Sequence, residues 1–582
     1  MKRLLALSLI FLLGLTGCST ATNPSASAPD SAYTPGIYEG TGTGFWGPIT
    51  VSLELSENAI EKITVTDHRE TENIGTLAIE PILQSILDNQ SLADVITGAS
   101  FTSRGVTSAV KNALAEAGVS DTKIHELESA EIKMETPQDT ETDVLVVGSG
   151  AAGMLAALTA CDEGASVILV EKLSLPGGST KLSGGAVWEL GAQETAVYAD
   201  YSAKDILDLF EEYAGPVNNP SVLLTLAEGT KDSVEYIRSN HFQFRDDYLV
   251  TSNQRARPDY RSLSAKGSGA GLAGQLYSFI QERDIDVRFN SRAAELILED
   301  GQSVNGVRIE TPSGTYTIKA QKVILATGGY AYNHDMLEAY APGTYVNNTF
   351  SANPGSEGDG HRMGLEAGSV IVGEGVLGIT QIDTRPGTEV TLWNPPFIVN
   401  QNGERFMAGD EYYPRQQQLI TAQPEGLAYA IYDANWHDQE TLEKFTEMGY
   451  VIKADSLEEL AAALNINETE LLASVQANNA AVSDNVTDAF GTNPDYIFPL
   501  DTAPYYGYRR SANIMGTIAG LKVDESMHVL NEEDKPIGNL YAAGELIFGN
   551  LFNNTYPMSG TANTLAMSSG RIAAKDAVSS LK

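Results

Sequence analysis

One segment constrains the fold of this chain more than any other. Residues 144–147 are apolar and run directly into Gly148-x-Gly150-x-x-Gly153, which is followed by an Ala/Leu-rich helical pattern and a second apolar run at 166–170. Strand, tight turn, helix and strand in this order turn a common glycine spacing into a dinucleotide-binding fingerprint. The helix N-terminus then offers unpaired N–H groups to a pyrophosphate. The segment predicts an α/β fold with a parallel sheet.

The residues after the second strand bear on which dinucleotide is bound. Glu171 ends that strand, where a carboxylate can accept hydrogen bonds from a ribose diol, which favours an unphosphorylated adenosine ribose over NADP. A second glycine-rich loop follows at 176–185, and NAD enzymes seldom need one there. This loop resembles the GG-[NS]-[ST]-x-x-[SA]-x-G segment that lies along the flavin in the fumarate reductase flavoprotein family. The resemblance implies non-covalent FAD.

Three later segments resemble the same family. A hydrophobic strand at 322–329 ends in Thr-Gly-Gly, residues 355–360 open a helix, and residues 541–545 match the family's A-G-E segment. The family implies a Rossmann-like, two-dinucleotide-binding FAD domain, here 142–370 and 505–582, with a capping domain inserted at 371–504. The expected FAD contacts are Gly148, Gly150, Ala151, Ala152, Gly153, Glu171, Lys172, Gly177, Gly178, Ser179, Thr180, Ser183, Gly184, Gly185, Thr327, Gly328, Gly329, Asp359, Gly544, Glu545, Thr561 and Ala562.

Residues 36–118 predict a separate small α+β domain, with paired strands at 49–55 and 60–65 and helices at 80–88 and 107–117. Between the helices, Asp94-Val95-Ile96-Thr97-Gly98-Ala99-Ser100 resembles the D-x-x-[ST]-G-A-[ST] acceptor sequence of FMN-binding domains. In those domains a flavin transferase joins FMN through its phosphate to the last hydroxyl residue. The resemblance implies FMN on Ser100 as a phosphoester, beside Thr97, Gly98 and Ala99. A serine stands where threonine is commoner, with the same hydroxyl chemistry.

The N-terminus has the features of an export signal. Lys2 and Arg3 precede an apolar run at 4–15 that is too short to span a membrane comfortably. Residues 15–18 resemble a bacterial lipobox, so residues 1–18 are expected to be a lipoprotein signal with Cys18 as the lipidated residue. Residues 19–35, rich in Ser, Thr, Ala and Pro, predict a flexible tether. We expect an extracytoplasmic enzyme, held to the outer face of the bacterial cytoplasmic membrane by lipid alone.

Composition excludes several classes of partner. A net charge of −39 over 582 residues argues against nucleic acid and against anionic lipid surfaces. The histidines show no metal-ligand spacing, and no C-x-x-C-H haem motif occurs. Cys161 is the second of two cysteines, so no intramolecular disulfide framework is expected. The charged stretch 119–141 predicts a linker that contains short structure at most.

The expected cofactors imply a reaction. Reduced FAD can deliver hydride to the β-carbon of a C=C conjugated with a carbonyl or carboxylate, and the substrate then needs its oxygen stabilised and its α-carbon protonated. In the resembled reductases an arginine on the cap is the proton donor. Residues 403–406 resemble the segment before it, and Arg415 is the best match, although it lies two residues farther along. Candidates for a relay to Arg415 are Asp410, Glu411, Tyr412 and Tyr413.

The substrate segments depart from those of fumarate reductases. Their H-x-M-G-G histidine is Asn513 here, and their N-R-L-G-G arginine is missing from 554–560. Because a buried carboxylate without a cation costs several kcal/mol, fumarate is a poor candidate. Tyr556-Pro557-x-x-Gly560 instead resembles a ketosteroid dehydrogenase segment in which the tyrosine hydroxyl and glycine N–H bind a ketone oxygen. Tyr556 and Gly560 are therefore expected to polarise an enone or one end of an aryl-conjugated acid.

The sequence predicts an extracytoplasmic flavin-dependent reductase of an activated C=C bond, enoate or enone, acting as a terminal step of anaerobic respiration. Electrons are expected to pass from a membrane or extracellular donor through FMN to FAD. One alternative is a ketosteroid-type enone reductase or dehydrogenase, and a urocanate- or cinnamate-like acid is another substrate option. A non-catalytic flavin electron carrier is the alternative from a different class, although a carrier has no need of a cap.

Overall fold

A computed structural model describes residues 32–44, 47–70, 75–92, 100–129, 137–191, 201–246, 249–250, 261–299, 301–344, 352–382 and 397–581. Cys18, most of the predicted tether, and Thr97, Gly98 and Ala99 of the predicted acceptor loop lie outside these residues, as does the side chain of Ser100. Among the described helices, none is both long and apolar enough to cross a membrane. No group of side chains suited to a metal ion occurs in the described part of the chain.

The N-terminal unit is a small α+β layer structure. Its elements are β1 (Gly36–Thr43), β2 (Pro48–Leu55), β3 (Ile60–Asp67), α1 (Gly75–Asn89), α2 (Ser100–Glu116) and α3 (Asp121–Glu128). The three strands pair antiparallel in the order β1-β2-β3. Helix α2 packs closely on β1 because Gly40 has no side chain there: a Cβ would lie 2.1 Å from the carbonyl oxygen of Ala109. We call this the FMN unit.

The predicted linker at 119–141 contains one short helix, α3. Ser120 caps the N-terminus of α3 by accepting the backbone N–H of Lys123, and α3 buries Ile124 and Leu127 in the core of the FMN unit. The backbone N–H of Leu92 also donates to the carbonyl of Leu127 at 2.9 Å. Apolar residues spaced three apart give this charged stretch one buried face, so the FMN unit extends beyond residue 118.

The second unit begins with the predicted βαβ segment. Its elements before the cap are β4 (Thr140–Val147), α4 (Ala151–Asp162), β5 (Val167–Val170), β6 (Ala186–Val187), α5 (Ala203–Ala214), α6 (Pro220–Ser239), β7 (Leu249–Val250), β8 (Arg261–Ser264), α7 (Ser268–Gln281), β9 (Asp286–Arg288), β10 (Arg292–Glu299), β11 (Ser303–Thr311), β12 (Gly314–Leu325), α8 (His334–Tyr340) and α9 (Asp359–Glu366).

The cap follows. Its elements are β13 (Ile371–Val372), β14 (Val376–Ile382), β15 (Phe397–Val399), α10 (Tyr413–Thr421), β16 (Leu427–Tyr432), α11 (Gln439–Glu447), β17 (Ile452–Ala454), α12 (Leu457–Leu464), α13 (Glu468–Asp484) and β18 (Tyr505–Thr517). The cap sheet has the order β14-β18-β16-β15, with β17 paired to β18. The predicted boundary at residue 504 therefore falls too early, because the long strand β18 is central to the cap sheet.

The chain then returns to the second unit. Its last elements are β19 (Gly520–Leu521), β20 (His528–Leu530), β21 (Pro536–Ala542) and α14 (Thr561–Ser579). An eight-stranded sheet has the order β10-β11-β21-β12-β4-β5-β9, with β20 paired to β21. Helices α14 and α4 approach closely at Gly570, where a Cβ would lie 2.1 Å from the carbonyl oxygen of Ala152.

The antiparallel and parallel parts of this sheet meet at one strand. Strand β9 runs parallel to β5, whereas β10 pairs antiparallel with β11 at the far end of the sheet. Residues 322–325 of the strand expected at 322–329 are the last part of a longer strand, β12, which is antiparallel to β11 and parallel to β4. Strand β12 thus joins the antiparallel meander to the parallel sheet and delivers residue 327 to the edge where β4 ends.

One ion-pair cluster on this unit predicts a pH-dependent stability. His528 donates from Nδ1 to Asp524 at 2.9 Å and from Nε2 to Asp576 at 3.0 Å, and both nitrogens can donate only in the imidazolium form. The hydrogen bond to Asp524 raises the pKa of His528 against the effect of partial burial, and the charges of Asp524 and Asp576 add to the rise.

Because the folded pKa is raised, the stabilisation is complete below the ordinary histidine pKa of about 6.5 and is lost as the pH rises through the raised value. We expect His528→Gln to lower Tm more at about pH 6 than at about pH 9, by a few degrees for about 1 kcal/mol. Thermal unfolding at both pH values measures this. His68→Gln, at an exposed histidine, is the control, and an equal loss at both pH values contradicts the interpretation.

Candidate active site

A cavity of about 810 Å³ runs along the edge where β4, β5 and β12 end and continues beneath the cap. Its lining comes from the glycine turn after β4, the loop after β5, the loop after β12 and residues 544–545. Residues of the cap and of the segment before α14 complete it. Every segment that the sequence predicts to contact FAD therefore contributes to the lining of the cavity.

Two glycines of the first turn are required by space. Gly148 has a φ of 103°, in the left-handed region, and a Cβ there would lie 2.3 Å from the carbonyl oxygen of Ala326. At Gly153 a Cβ would lie 1.8 Å from the carbonyl oxygen of Gly148. These contacts hold the end of β12, the turn and helix α4 together, as the fingerprint requires.

Hydrogen bonds join the second glycine-rich loop, residues 176–185, to the glycine turn at 148–153. A 3₁₀ turn, Gly178–Leu182, places the hydroxyl of Thr180 at 3.1 Å from the backbone N–H of Ala151, from which it accepts. The N–H of Gly177 donates to the carbonyl of Ser149 at 3.0 Å. Farther on, Asn563 of α14 donates to the hydroxyl of Ser183 at 3.0 Å. The loop thus spans from the N-terminus of α4 to that of α14.

Glu171 organises the turn from the end of β5. Its carboxylate accepts from the hydroxyl and the backbone N–H of Ser149, at 2.7 and 3.0 Å, and from the N–H of Leu173 at 2.9 Å. The side chain is buried and lines the cavity. A carboxylate fixed in this way is placed to accept further hydrogen bonds from a diol in the cavity.

An ion-pair network lies next to Glu171. Lys172 and Arg292 donate to opposite oxygens of Asp359, at 2.8 and 2.6 Å. Burial of the Asp359 carboxyl opposes its ionisation, but the hydrogen bond from Arg292 and the charge of Lys172 outweigh burial and hold its pKa below the ordinary value. Asp359 is the first residue of α9, so the network joins that helix to β5 and β10 beside the cavity.

Glu545 is a half-buried carboxyl that also lines the cavity. It accepts from the N–H and the hydroxyl of Thr517, at 2.7 and 2.9 Å. Burial raises the pKa of Glu545 to about 7, against the two hydrogen bonds. Gly329 leaves it room, since a Cβ there would lie 1.9 Å from the Glu545 carboxylate. The group is therefore near the point of change between acid and carboxylate at neutral pH.

The cavity has the free space that a dinucleotide needs. Gly150, Gly184 and Gly328 all line it, and a Cβ at any of the three would meet no atom closer than 3.9 Å. These open positions contrast with the crowded glycines of the turn. The hydroxyl of Thr327, which also lines the cavity, is buried without a hydrogen-bond partner among the described residues. Bare backbone and an unsatisfied donor along one groove fit FAD.

Tyr413 is a polar cap side chain that lines the cavity. It is the first residue of α10, lines the cavity, and lies with its ring 4.7 Å from that of Tyr412 and 6.4 Å from that of Tyr556. Burial raises the pKa of Tyr413 to about 12, against hydrogen bonds with Tyr412 and Ser559. Tyr413 therefore carries a proton at neutral pH.

Tyr556 approaches from the segment before α14. Its hydroxyl accepts the backbone N–H of Ala562 at 3.0 Å, which leaves its own proton for another acceptor. Burial, and next the neighbouring Tyr413, raise the pKa of Tyr556 well above its ordinary value. Gly560, with a φ of 79°, stands at the N-terminus of α14 and lines the cavity beside Tyr556. Together they form a neutral donor site.

Strand β14 supplies the cap wall of the cavity. Leu377, Ile379 and Gln381 alternate along it and line the cavity, together with Met515 of β18. Alternate residues of a strand share one face, so the pattern of 376–382 could have identified this row from the sequence. The wall is apolar apart from one amide.

Comparisons with known proteins agree with this geometry. Residues 143–562 match the FAD binding domain family, and residues 44–115 match the FMN-binding domain family. A probable fumarate reductase, Ifc3, of Shewanella frigidimarina is 31% identical over 76% of this chain and 75% of its own. The chain belongs to the fumarate reductase flavoprotein family.

Two further members extend the likeness. Urocanate reductase of Eggerthella lenta is 27% identical over 92% of this chain and 91% of its own length. A solved flavocytochrome c3 fumarate reductase, in its open conformation, has a TM-score of 0.63 at 26% identity, over 84% of this chain and 86% of that one. As a member of this family, the protein is an FAD-dependent oxidoreductase acting on C=C bonds, and the predicted family, fold class and enzyme class are confirmed.

Most of the predicted FAD contacts line the cavity. Those that do are Gly148, Gly150, Ala151, Ala152, Glu171, Lys172, Gly178, Ser179, Thr180, Ser183, Gly184, Thr327, Gly328, Asp359, Gly544, Glu545 and Ala562. The others lie behind its wall, where they shape the backbone or hold a neighbouring side chain: Gly153, Gly177, Gly185, Gly329 and Thr561.

The structure places Arg415, the predicted cap proton donor, outside the cavity lining. Arg415 is exposed, donates to Gln418 at 2.9 Å, and does not line the cavity. The reason is helical phase: two residues along an α-helix turn the side chain by about 200°, so Arg415 points away from the side that Tyr413 occupies. The two extra residues of spacing in the sequence are the signal of this displacement.

The predicted relay residues also lie outside the cavity wall. Asp410 is buried and accepts the N–H of Asn493 at 3.3 Å, while Glu411 is half-buried and accepts the N–H of Tyr412 at 3.1 Å. Tyr412 is buried, and its ring packs against that of Tyr413. Of the four tyrosine and acidic candidates, Tyr413 alone lines the cavity.

Proposed function

We propose that this protein reduces the C=C bond of an uncharged α,β-unsaturated carbonyl compound, with Tyr556 holding the carbonyl oxygen and Tyr413 supplying the proton. The observation that carries the proposal is the pair of protonated tyrosines, Tyr413 from the cap and Tyr556 from the segment before α14, which line the cavity with their rings 6.4 Å apart. Leu377, Ile379 and Met515 add an apolar surface for the rest of the substrate.

The bound, reduced FAD supplies a hydride to the β-carbon of the substrate. Negative charge then builds on the carbonyl oxygen, where the Tyr556 hydroxyl donates a hydrogen bond and the N–H of Gly560 is in reach. The hydroxyl proton of Tyr413 goes to the α-carbon, and Tyr412, whose ring lies 4.7 Å from that of Tyr413, is the neighbouring group placed to restore it. Hydride and proton together saturate the bond and leave the carbonyl intact.

The charges around the cavity support an uncharged substrate. Two of its cations, Lys172 and Arg292, are paired with Asp359 at the Glu171 end. The described cap wall and the Tyr556 segment contribute tyrosine, amide and apolar groups to the cavity. A buried carboxylate there would cost several kcal/mol without a cation. Asn513, which replaces the family's histidine, is buried and donates to Ser511 at 3.2 Å.

A second candidate substrate is an aryl-conjugated acid. The near full-length likeness to a urocanate reductase favours this option. In this case Tyr413 keeps its role and the acid group takes the place of the ketone.

Steady-state turnover separates these options. The holoenzyme receives electrons from reduced methyl viologen under anaerobic conditions, with benzylideneacetone, cinnamate or urocanate as acceptor. The proposal expects benzylideneacetone to be consumed fastest and its saturated ketone to be the product. Consumption of cinnamate or urocanate alone favours the second candidate, and formation of an unsaturated alcohol rules out C=C reduction of the ketone.

We further propose that electrons reach FAD from FMN carried on Ser100, and that Cys18 tethers the enzyme by lipid to the outer face of the cytoplasmic membrane. A contact between the two units supports the electron path. Leu175, in the loop after β5, is 3% exposed and belongs to the apolar cluster of the FMN unit, whose other members come from residues 33–127. The FMN unit is thus seated on the loop that lines the cavity three residues later, at Gly178.

Leu175→Asp tests this path. A charge in an apolar cluster costs more than about 1.4 kcal/mol, so the seated population should fall by about tenfold or more. In a stopped-flow experiment, the fully reduced enzyme is mixed with benzylideneacetone. The rate of the first phase, in which FAD is reoxidised, is expected to be unchanged. The rate of the second phase, in which electrons pass from FMN to FAD, is expected to fall. Leu365→Asp, at an exposed leucine of α9, is the control. An unchanged second phase contradicts the path.

Ser100→Ala tests the attachment of FMN. Denatured wild-type protein, made with a flavin transferase, is expected to keep FMN mass on the polypeptide while releasing FAD, because only FMN is covalent. The variant is expected to lose the FMN mass and keep the FAD. Ser108→Ala, on the same helix, should retain both flavins. Intact mass spectrometry reads the result, and FMN retained by Ser100→Ala places the attachment elsewhere.

A further inference from the structure

Gln381 has an unusual environment for a buried amide. The residue is 8% exposed and lines the cavity from β14. Among the side-chain hydrogen bonds of the described residues, none involves the Gln381 amide, although buried polar groups are nearly always paired. Its oxygen and nitrogen therefore face the cavity with their hydrogen-bonding capacity unused.

The neighbours on the cap sheet do not take up that capacity. Gln381 is paired across the strands with Ser511, and Ile379 with Asn513. The Asn513 amide donates to the Ser511 hydroxyl at 3.2 Å and to the Ser511 carbonyl at 3.3 Å, so these two polar groups bond to each other. Along β14, the next side chains on the same face are Ile379 and Leu377. The amide is an isolated polar group on an apolar wall.

The chemistry of an amide selects its partner. An amide presents one acceptor and two donors, and leaving either side of a buried amide unsatisfied costs about 1–3 kcal/mol. A hydroxyl can donate to the oxygen and accept from the nitrogen, whereas a ketone or ether serves only the nitrogen. A carboxylate brings a charge, and the described residues of β14 and β18 that line the cavity include no cation to neutralise it.

We propose that Gln381 determines specificity by binding a hydroxyl group on the ring of the substrate, so that the enzyme prefers hydroxyaryl or hydroxylated cyclic unsaturated carbonyl compounds. The inference rests on the proposed function, since it places the unsaturated carbonyl at Tyr556. Gln381 comes from the cap and Tyr556 from the second unit, and both line one cavity, so a ligand long enough to span them can meet both.

A matched pair of substrates tests the proposal. The holoenzyme receives electrons from reduced methyl viologen and is assayed with benzylideneacetone (4-phenylbut-3-en-2-one) and with its ring-hydroxylated form, 4-(4-hydroxyphenyl)but-3-en-2-one. The two compounds differ by one hydroxyl. The wild type is expected to favour the hydroxylated compound by at least about tenfold in kcat/KM. In Gln381→Leu the ratio is expected to fall to near one, chiefly through a higher KM for the hydroxylated compound. Gln417→Leu, a buried glutamine of α10 outside the cavity, should keep the wild-type ratio.

A wild-type ratio of one or below overturns the inference without any variant, so a failure of Gln381→Leu to fold does not protect it. A Gln381→Leu protein that keeps the full preference also overturns it. If neither ketone is reduced while an aryl acid is, the proposed function fails and the inference fails with it. Turnover of both ketones at equal rates leaves the proposed function standing and removes only the role of Gln381.

Discussion

Tyr413→Phe is expected to lower kcat for C=C reduction by about 10²–10⁴-fold, the usual contribution of a positioned general acid. The substitution removes one hydroxyl and keeps the ring that packs against Tyr412 and Tyr556. Because the pKa of Tyr413 is raised to about 12 by burial, the wild-type hydroxyl stays protonated through the neutral range, and the rate should show no ionisation of this group there. Single-turnover reoxidation of the reduced flavin by benzylideneacetone measures the loss.

Arg415→Ala is the companion variant. Since Arg415 is exposed and bonded to Gln418, the rate is expected to stay close to that of the wild type. The opposite pattern, with Arg415→Ala inactive and Tyr413→Phe near normal, would restore the arginine as the donor and require α10 to turn when the cap closes.

Tyr556→Phe is expected to lower kcat by about 10²–10³-fold, the cost of removing one donor to a developing oxyanion. The ring contacts with Phe552 and Tyr413 remain, so flavin content and Tm should change little. The backbone N–H of Ala562 loses its acceptor, which is a second, smaller effect at the start of α14. Steady-state turnover with the ketone measures the change in kcat.

Tyr541→Phe serves as the control for Tyr556→Phe, because its hydroxyl bonds to Asp576 on the far side of the second unit. A Tyr556→Phe enzyme with wild-type kcat and only a raised KM would show that the hydroxyl binds ground state and transition state equally. That result would move stabilisation of the oxygen to Gly560 or another group.

The flavin groove could be predicted closely from the sequence, and local sterics explain why. Gly148 and Gly153 are fixed by backbone contacts within their own βαβ segment, so spacing along the chain reports spacing in the fold. Glu171 likewise acts on Ser149, in the turn beside it. Where residues that are close in sequence are also close in the site, a sequence motif is enough to predict their arrangement.

The cap could not be predicted in the same way. The side of α10 that faces the cavity depends on where the helix begins, and a shift of two residues exchanges Tyr413 for Arg415. Strand β18 lies far along the chain from β14, its partner in the cap sheet. The predicted end of the cap at residue 504 therefore precedes the strand that completes the sheet. The role of Leu175 was equally hidden, because its apolar neighbours belong to the FMN unit.

The most direct test of the account is the choice of oxidant by the reduced wild-type holoenzyme. The protein carrying both flavins is reduced chemically without oxygen and mixed in separate shots with benzylideneacetone and with fumarate, while flavin absorbance is followed. The account predicts rapid reoxidation by the ketone and slow or no reoxidation by fumarate, because the described site offers tyrosines and no histidine at the family's position. Rapid reoxidation by fumarate, with the ketone inert, would contradict the neutral tyrosine site.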